Sequence, residues 1–222
     1  MDSGDGGTAS SNARPVNNAP PPATQARNLW AACGDAAFYG FGINMIAPTL
    51  PFLFKQAGID ASWLGIVLLA SFVAALGGPL GTVWAARFVR GKMPFIILLG
   101  ILHRIPYLLI PLGVFFMFTT PHVLVTIVIV AWIAAAFIGG IATPVFNVVL
   151  TGSFSEHWWG RMMGLRYFLV STSGLCAAAC VWAVNRAVSA PMNYVIMGFV
   201  GVLLLSVSLA CFSRFREAGR SP

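Results

Sequence analysis

A single arginine stands near the middle of a 26-residue apolar run, Met93 to Phe118. Wound as a helix, such a run spans about 39 Å, more than the ~30 Å hydrocarbon layer of a bilayer. A guanidinium at the centre of a spanning helix costs about 2.5–3.5 kcal/mol on insertion scales. A chain keeps Arg104 there only if it faces protein or water, and the remaining apolar runs are read as the shell around it.

Composition agrees with that reading. The chain is 58% hydrophobic and 9% charged, with a mean hydropathy of +0.84, against about 25% charged residues in soluble domains. This is the composition of an integral membrane protein. Its spans must be helices, because backbone groups in lipid need partners within the chain. The runs do not alternate as the strands of a membrane barrel would. The net charge of +7 comes from basic residues at span ends and not from one surface stripe, so no nucleic-acid partner is expected. Cys33, Cys176, Cys180 and Cys211 fall in or beside the spans and read as small packing residues. The sequence holds no metal-ligand spacing, phosphate-cradling loop, nucleophile elbow or paired catalytic carboxylates. No metal, cofactor or enzymatic activity is expected.

In order along the chain, Met1 to Arg27 is rich in Gly, Ser, Asn, Ala and Pro and reads as a disordered tail. Six spans follow: Asn28–Phe54, Ser62–Ala86, Met93–Phe118, Val123–Leu150, Met162–Ala183 and Met192–Phe212. Residues 28–213 thus form one six-helix bundle, and 214–222 a second tail. The connections are short, which makes successive helices antiparallel neighbours. Arg14, Arg27, Arg87, Arg90, Lys92, Arg161, Arg166, Arg214, Arg216 and Arg220 fall on one side and only Lys55 and Arg186 on the other. The positive-inside rule then places both termini in the cytoplasm. The expected location is the inner membrane of a bacterium.

Proline and glycine positions repeat along the chain. Pro48 and Pro144, Gly65 and Gly164, and Pro94 and Pro191 lie 96, 99 and 97 residues apart. One spacing met three times implies a three-helix unit used twice. Three is odd, so the second copy is inverted in the membrane, as in the halves of secondary transporters. Ala70, Ala74 and Gly78 recur at four-residue spacing, and Gly77 and Gly81 form a GxxxG, a pattern that lets helix backbones approach. Pro48, Pro51, Pro79, Pro106, Pro111 and Pro144 should kink or loosen their helices.

Three stretches carry a resemblance. The first span ends Asn44-Met-Ile-Ala-Pro-Thr-Leu-Pro51. The second and third are joined by Gly77-Gly-Pro-Leu-Gly-Thr-Val-Trp-Ala-Ala-Arg-Phe-Val-Arg-Gly-Lys92. Gly139-Gly-Ile-Ala-Thr-Pro144 is followed by Trp159-Gly-Arg-Met-Met-Gly-Leu-Arg166, and Arg104-Ile-Pro106 lies in the third span. Together, over Leu29 to Phe215, these resemble the N-terminal six-helix half of a major facilitator superfamily transporter. The resemblance implies an all-α membrane protein of six transmembrane helices arranged as a 3+3 inverted repeat. It also implies a solute path between two such halves. The superfamily's signature loop usually carries an Asp that anchors it to neighbouring helix ends, and here that position, counted from Gly81, is Ala85. The superfamily has twelve helices, and six are present in this chain.

Candidate residues follow from placement inside the membrane. Asp35 and Arg104 are the charges read as deepest. Spans one and three enter from the same side, with depths differing by roughly 6 Å, and an Asp35–Arg104 ion pair is expected, since each charge would otherwise be unpaired in low dielectric. The pair would face the cavity and bind an anionic group or couple to a proton, or else staple two helices. Asn44, Asn147, Thr143 and Tyr39 lie in spans one and four, which line the cavity in the resembling fold, and are candidate substrate contacts. His103 reads as a packed neutral histidine with a proton relay as the other reading. Gly81, Arg87, Arg90, Lys92, Arg161 and Arg166 are candidates for gating loops, with Glu156 beside the last two. Trp158 and Trp159 fit an interfacial anchor.

The function expected on this basis is a half-size transporter subunit moving a small solute by alternating access. Its partners would be the lipid bilayer and a second six-helix half, from another copy or a separate chain. The alternative is a non-transporting accessory or assembly subunit of a larger membrane complex that retains the half-transporter fold. A truncated reading frame is the third.

Overall fold

Prolines set where the first span breaks. In the computed structural model, which describes residues 22–59, 62–87 and 92–216, helix α1 (Pro22–Ile46) gives way to a 3-10 turn, Ala47–Thr49, and a short helix α2, Leu50–Gln56. Pro48 and Pro51 occupy the first turns of the two pieces. A proline has no N–H to donate and its ring crowds the preceding turn. Thr49 Oγ1 donates to the Ile46 carbonyl at 2.6 Å, satisfying an acceptor at the break. Pro79, Pro106, Pro111 and Pro144 are instead carried inside continuous helices.

Five long helices follow: α3 (Ser62–Arg87), α4 (Lys92–Met117), α5 (Pro121–Thr151), α6 (Glu156–Ala187) and α7 (Met192–Phe212). The described chain is helical throughout its regular structure, and six of its segments are long and apolar enough to cross a membrane. This is an integral membrane protein. The expected spans recur within a few residues at most ends, and α7 has the bounds read from sequence. Two boundaries move. Helix α6 begins at Glu156 and not at Met162, so Arg161 lies on a helix and not in a loop, and Arg166, offered as a gating-loop candidate, lies well inside the helix. Helix α1 begins at Pro22, inside the expected N-terminal tail. Residues 1–21 and 217–222 lie outside the described residues.

Both ends of the bundle's chain are tied to one face. Asn28 is fully buried. Its amide nitrogen donates to the Arg216 carbonyl at 2.9 Å, and its amide oxygen accepts from the Arg216 N–H at 3.0 Å. Arg27 donates to the Arg214 carbonyl at 3.1 Å. Phe215 is buried beside Phe212 and Phe154. The first residues of the expected C-terminal tail are therefore part of the fold.

The main helix contacts are α3 on α5, α4 on α5, α1 on α6, α1 on α7, and α4 on α7. Small residues allow the closest of these. A Cβ on Gly81 would collide with the Ile141 carbonyl, one on Gly140 with the Ala74 carbonyl, and one on Gly77 would lie 2.6 Å from the Phe137 carbonyl. The GxxxG pair and Ala74 thus face α5, while Gly78 opens on free space. Gly81, read as part of a gating loop, is a buried packing residue inside α3.

Buried apolar side chains form two layers. One includes Ile46, Leu50, Phe54, Tyr107, Val128 and Leu205. The other, toward the face that holds Asn28 and Arg216, includes Ala32, Leu99, Val145, Met162 and Phe212. Asp35, His103, Arg104 and Ser208 fall between the two along their helices.

Candidate functional site

A cavity of about 720 Å³ opens at this level. It lies within the ~300–1,000 Å³ range of small-ligand sites. Helices α1, α3, α4, α5, α6 and α7 all contribute to its wall, which carries two arginines and one aspartate: Asp35, Arg104 and Arg166.

The aspartate organises the polar groups. Its side chain is 9% exposed, and its Oδ2 takes the Nη2 of Arg166 at 3.0 Å. Its Oδ1 accepts the Ser208 hydroxyl at 2.7 Å. Ser208 Oγ in turn accepts from Arg104 Nη2 at 3.3 Å. The direct Asp35–Arg104 pair expected from sequence is not formed: a serine stands between the two charges, and the ion-pair partner of Asp35 is Arg166. The reason is the packing order. Helices α1 and α4 each pack on α7, so α7 supplies the bridging hydroxyl, while α1 packs directly on α6 and brings Arg166 within reach.

The two arginines are engaged differently. Arg104 donates through Nε to the Leu205 carbonyl, through Nη1 to the Gly100 carbonyl at 2.7 Å, and through Nη2 to Ser208. Each of its three nitrogens has a partner, and two of the bonds tie α4 to α7. Arg166 is 15% exposed. The ring of Phe146 packs over its guanidinium at 4.4 Å, and its Nη1 is buried without a hydrogen-bond partner among the described residues. Phe146 also packs on Phe212, 4.8 Å between ring centres.

An aromatic wall completes the site. His103 is buried between Tyr39, stacked at 6.5 Å, and Tyr107, edge-on at 5.1 Å, and Tyr107 leans on Trp132. His103 is next to Arg104 in sequence, and both line the cavity.

Of the residues singled out from sequence, Asp35, Tyr39, Arg104, Asn147 and Thr143 line the cavity together. Asn44 does not. Its amide donates to the Gly40 carbonyl at 2.8 Å, and it packs against Gly174 of α6. Thr143 donates to the Gly139 carbonyl at 2.8 Å. Arg166, offered as a gating-loop candidate, is instead the ion-pair partner of Asp35 on the cavity wall. Arg161 lies over the Trp158 ring, 5.4 Å from its centre. Arg87 ends α3 and Lys92 begins α4, whereas Arg90 lies outside the described residues. Sequence reading missed Ser208, Tyr107 and Phe146. Two hydroxyls, Ser206 and Ser208, interrupt the apolar end of α7, and only packing separates them: Ser206 is exposed and donates to the Val202 carbonyl, whereas Ser208 is buried.

Cys33 is buried, whereas Cys176 and Cys180 lie on the exposed side of α6. Those two do not pack within the bundle. No group of three or more metal-ligating side chains occurs among the described residues.

Compared with known protein families, with curated proteins and with solved structures, the chain finds no match.

Proposed function

We propose that this chain is a half-size secondary transporter subunit that moves a small solute by alternating access against a second six-helix half. The single observation behind the proposal is the charged cavity between the two apolar layers, walled by six helices and holding Asp35, Arg104 and Arg166. Buried ionisable groups in a spanning bundle are expensive, and they mark solute or ion paths.

Two features support the half-transporter architecture. The main helix contacts map onto themselves when the first three spans are exchanged with the last three, while the slight α6–α7 contact has no α3–α4 counterpart as large among the described residues. α3 on α5 becomes α6 on α1, α4 on α5 becomes α7 on α1, and α4 on α7 is unchanged. That is the pattern an inverted three-helix repeat produces. Helices α3 and α6, which this exchange interchanges, both flank the cavity and are the least covered. Only 17% and 6% of their apolar windows are buried. They carry exposed Leu68, Phe72 and Leu76, and Tyr167, Phe168 and Leu175. A second half docked along these two helices would close the cavity's open side. The basic residues at one face orient both termini toward the cytoplasm.

One observation favours the accessory-subunit reading. Ala85 occupies the signature-loop position where the resembling superfamily has an Asp, and its methyl is buried in the apolar layer with Ile141 and Met93. That position cannot latch a gate. Native mass measurement in detergent separates the two readings. A homodimer, or a complex with a second six-helix chain, supports the transporter. Stoichiometric co-purification with a larger complex, without solute flux in proteoliposomes, supports the accessory subunit and ends the transport proposal.

A further inference from the structure

The charges in the cavity do not balance. Arg104 and Arg166 bring two positive charges and Asp35 one negative, and these are the formal charges on the wall. One unit of positive charge is thus left over on the wall of a cavity that opens on one side, with the side chains that carry the ion pair only 15% and 9% exposed. Uncompensated charge of this kind is costly in a bundle interior. The two arginines are also not equivalent. The nitrogens of Arg104 are each bonded within the fold. Arg166 holds Asp35 through Nη2 and keeps a buried Nη1 without a partner among the described residues.

We propose that the cavity takes a small organic monoanion, a carboxylate on an apolar or aromatic body, with Arg166 as the group that binds the carboxylate. This rests on the cavity being the solute path proposed above, and it names the class of solute. A guanidinium offers donors in a planar fork that matches a carboxylate. With Asp35 already on one arm, the other arm remains for the ligand. One negative charge neutralises the site, whereas a dianion overshoots and a cation adds to the excess. The apolar body would lie against Tyr39, Tyr107 and Phe212. The ring of Phe146 covers the face of the guanidinium at 4.4 Å, whereas a carboxylate takes the N–H donors in the guanidinium plane. Arg104 acts as a positioning residue: its bond to Ser208 holds that hydroxyl against Asp35 Oδ1.

The test uses the full chain in detergent and four probes of similar shape: benzoate, benzamide, benzylammonium and phthalate. Binding is followed by isothermal titration and by thermal shift. Benzoate is expected to bind, and benzamide, benzylammonium and phthalate to bind at least tenfold more weakly. Replacing Arg166 with Gln should weaken benzoate by about ten- to a hundredfold, the worth of a charge-assisted contact, and Arg166→Lys should restore part of the loss. Asp35→Asn frees Arg166 and should tighten benzoate several-fold, a gain that a misfolded variant cannot give. Failure of the wild-type chain to bind benzoate at millimolar concentration overturns the inference. So does benzamide binding as well as benzoate, or benzoate affinity unchanged in Arg166→Gln. If benzoate binds as described but proteoliposomes of the assembled protein move no solute, the ligand class stands and the transport reading falls. If the assembled protein moves a neutral solute and benzoate does not bind, the reverse holds.

Discussion

Removing the carboxylate of Asp35 tests the site at its centre. Asp35→Ala takes away the ion-pair partner of Arg166 at 3.0 Å and the acceptor of the Ser208 hydroxyl at 2.7 Å. It leaves two guanidinium groups facing one cavity without a carboxylate on its wall. Breaking a buried pair by deleting one partner costs about 3–5 kcal/mol. The cavity allows some water to reach the exposed charge, so the low end, about 3 kcal/mol, is expected here. Arg166→Ala alone leaves Asp35 with its serine bond and costs less, about 2 kcal/mol. The cycle with Asp35→Ala and Arg166→Ala together should show a coupling of about 1.5–3 kcal/mol, as for residues in direct contact. The parallel cycle of Asp35 with Arg104 should show a smaller coupling, under about 1 kcal/mol, because Ser208 intervenes. Unfolding of the detergent-solubilised chain by dodecyl sulfate, followed by circular dichroism, supplies the four free energies of each cycle. Additivity of Asp35 and Arg166 within about 0.5 kcal/mol, or a larger coupling to Arg104 than to Arg166, would refute the geometry described above.

Three further outcomes are expected. Gly140→Val forces the α3–α5 contact apart at the Ala74 carbonyl and should destabilise by about 1–3 kcal/mol or more, while Gly78→Ala, which meets open space, should leave the melting temperature in detergent nearly unchanged. Asn28→Ala removes both bonds to the Arg216 backbone; a cost of about 1–3 kcal/mol is expected, with the segment after Phe212 becoming sensitive to limited proteolysis in the variant alone. Arg104→Met deletes the ties from α4 to Leu205 and Ser208, each charged bond worth about 1.5–3 kcal/mol, and lowers thermal stability in detergent; stability equal to wild type would show that those ties carry no weight.

The sequence alone determined the number of spans, their helical nature and most of their ends. Those depend on local quantities: twenty or more apolar residues in a row, bounded by charge and proline, have no other arrangement in lipid. It also marked Asp35, Tyr39, Arg104 and Asn147, because a polar side chain in an apolar run stands out regardless of what surrounds it. What tertiary structure decided was which of these groups meet. Counting depth from the end of each span placed Asp35 near Arg104, and the depths are indeed close enough for one serine to join them. Depth says nothing of the order of helices around the bundle, and that order, with α7 between α1 and α4 and α6 against α1, gave Asp35 to Arg166. The same ignorance of neighbours assigned Arg166 and Gly81 to gating loops and Asn44 to the cavity. A span's period and length follow from its own residues, but the azimuth at which each helix meets another is set by small residues such as Gly81 and Gly140 on facing backbones, and no single helix encodes its neighbour.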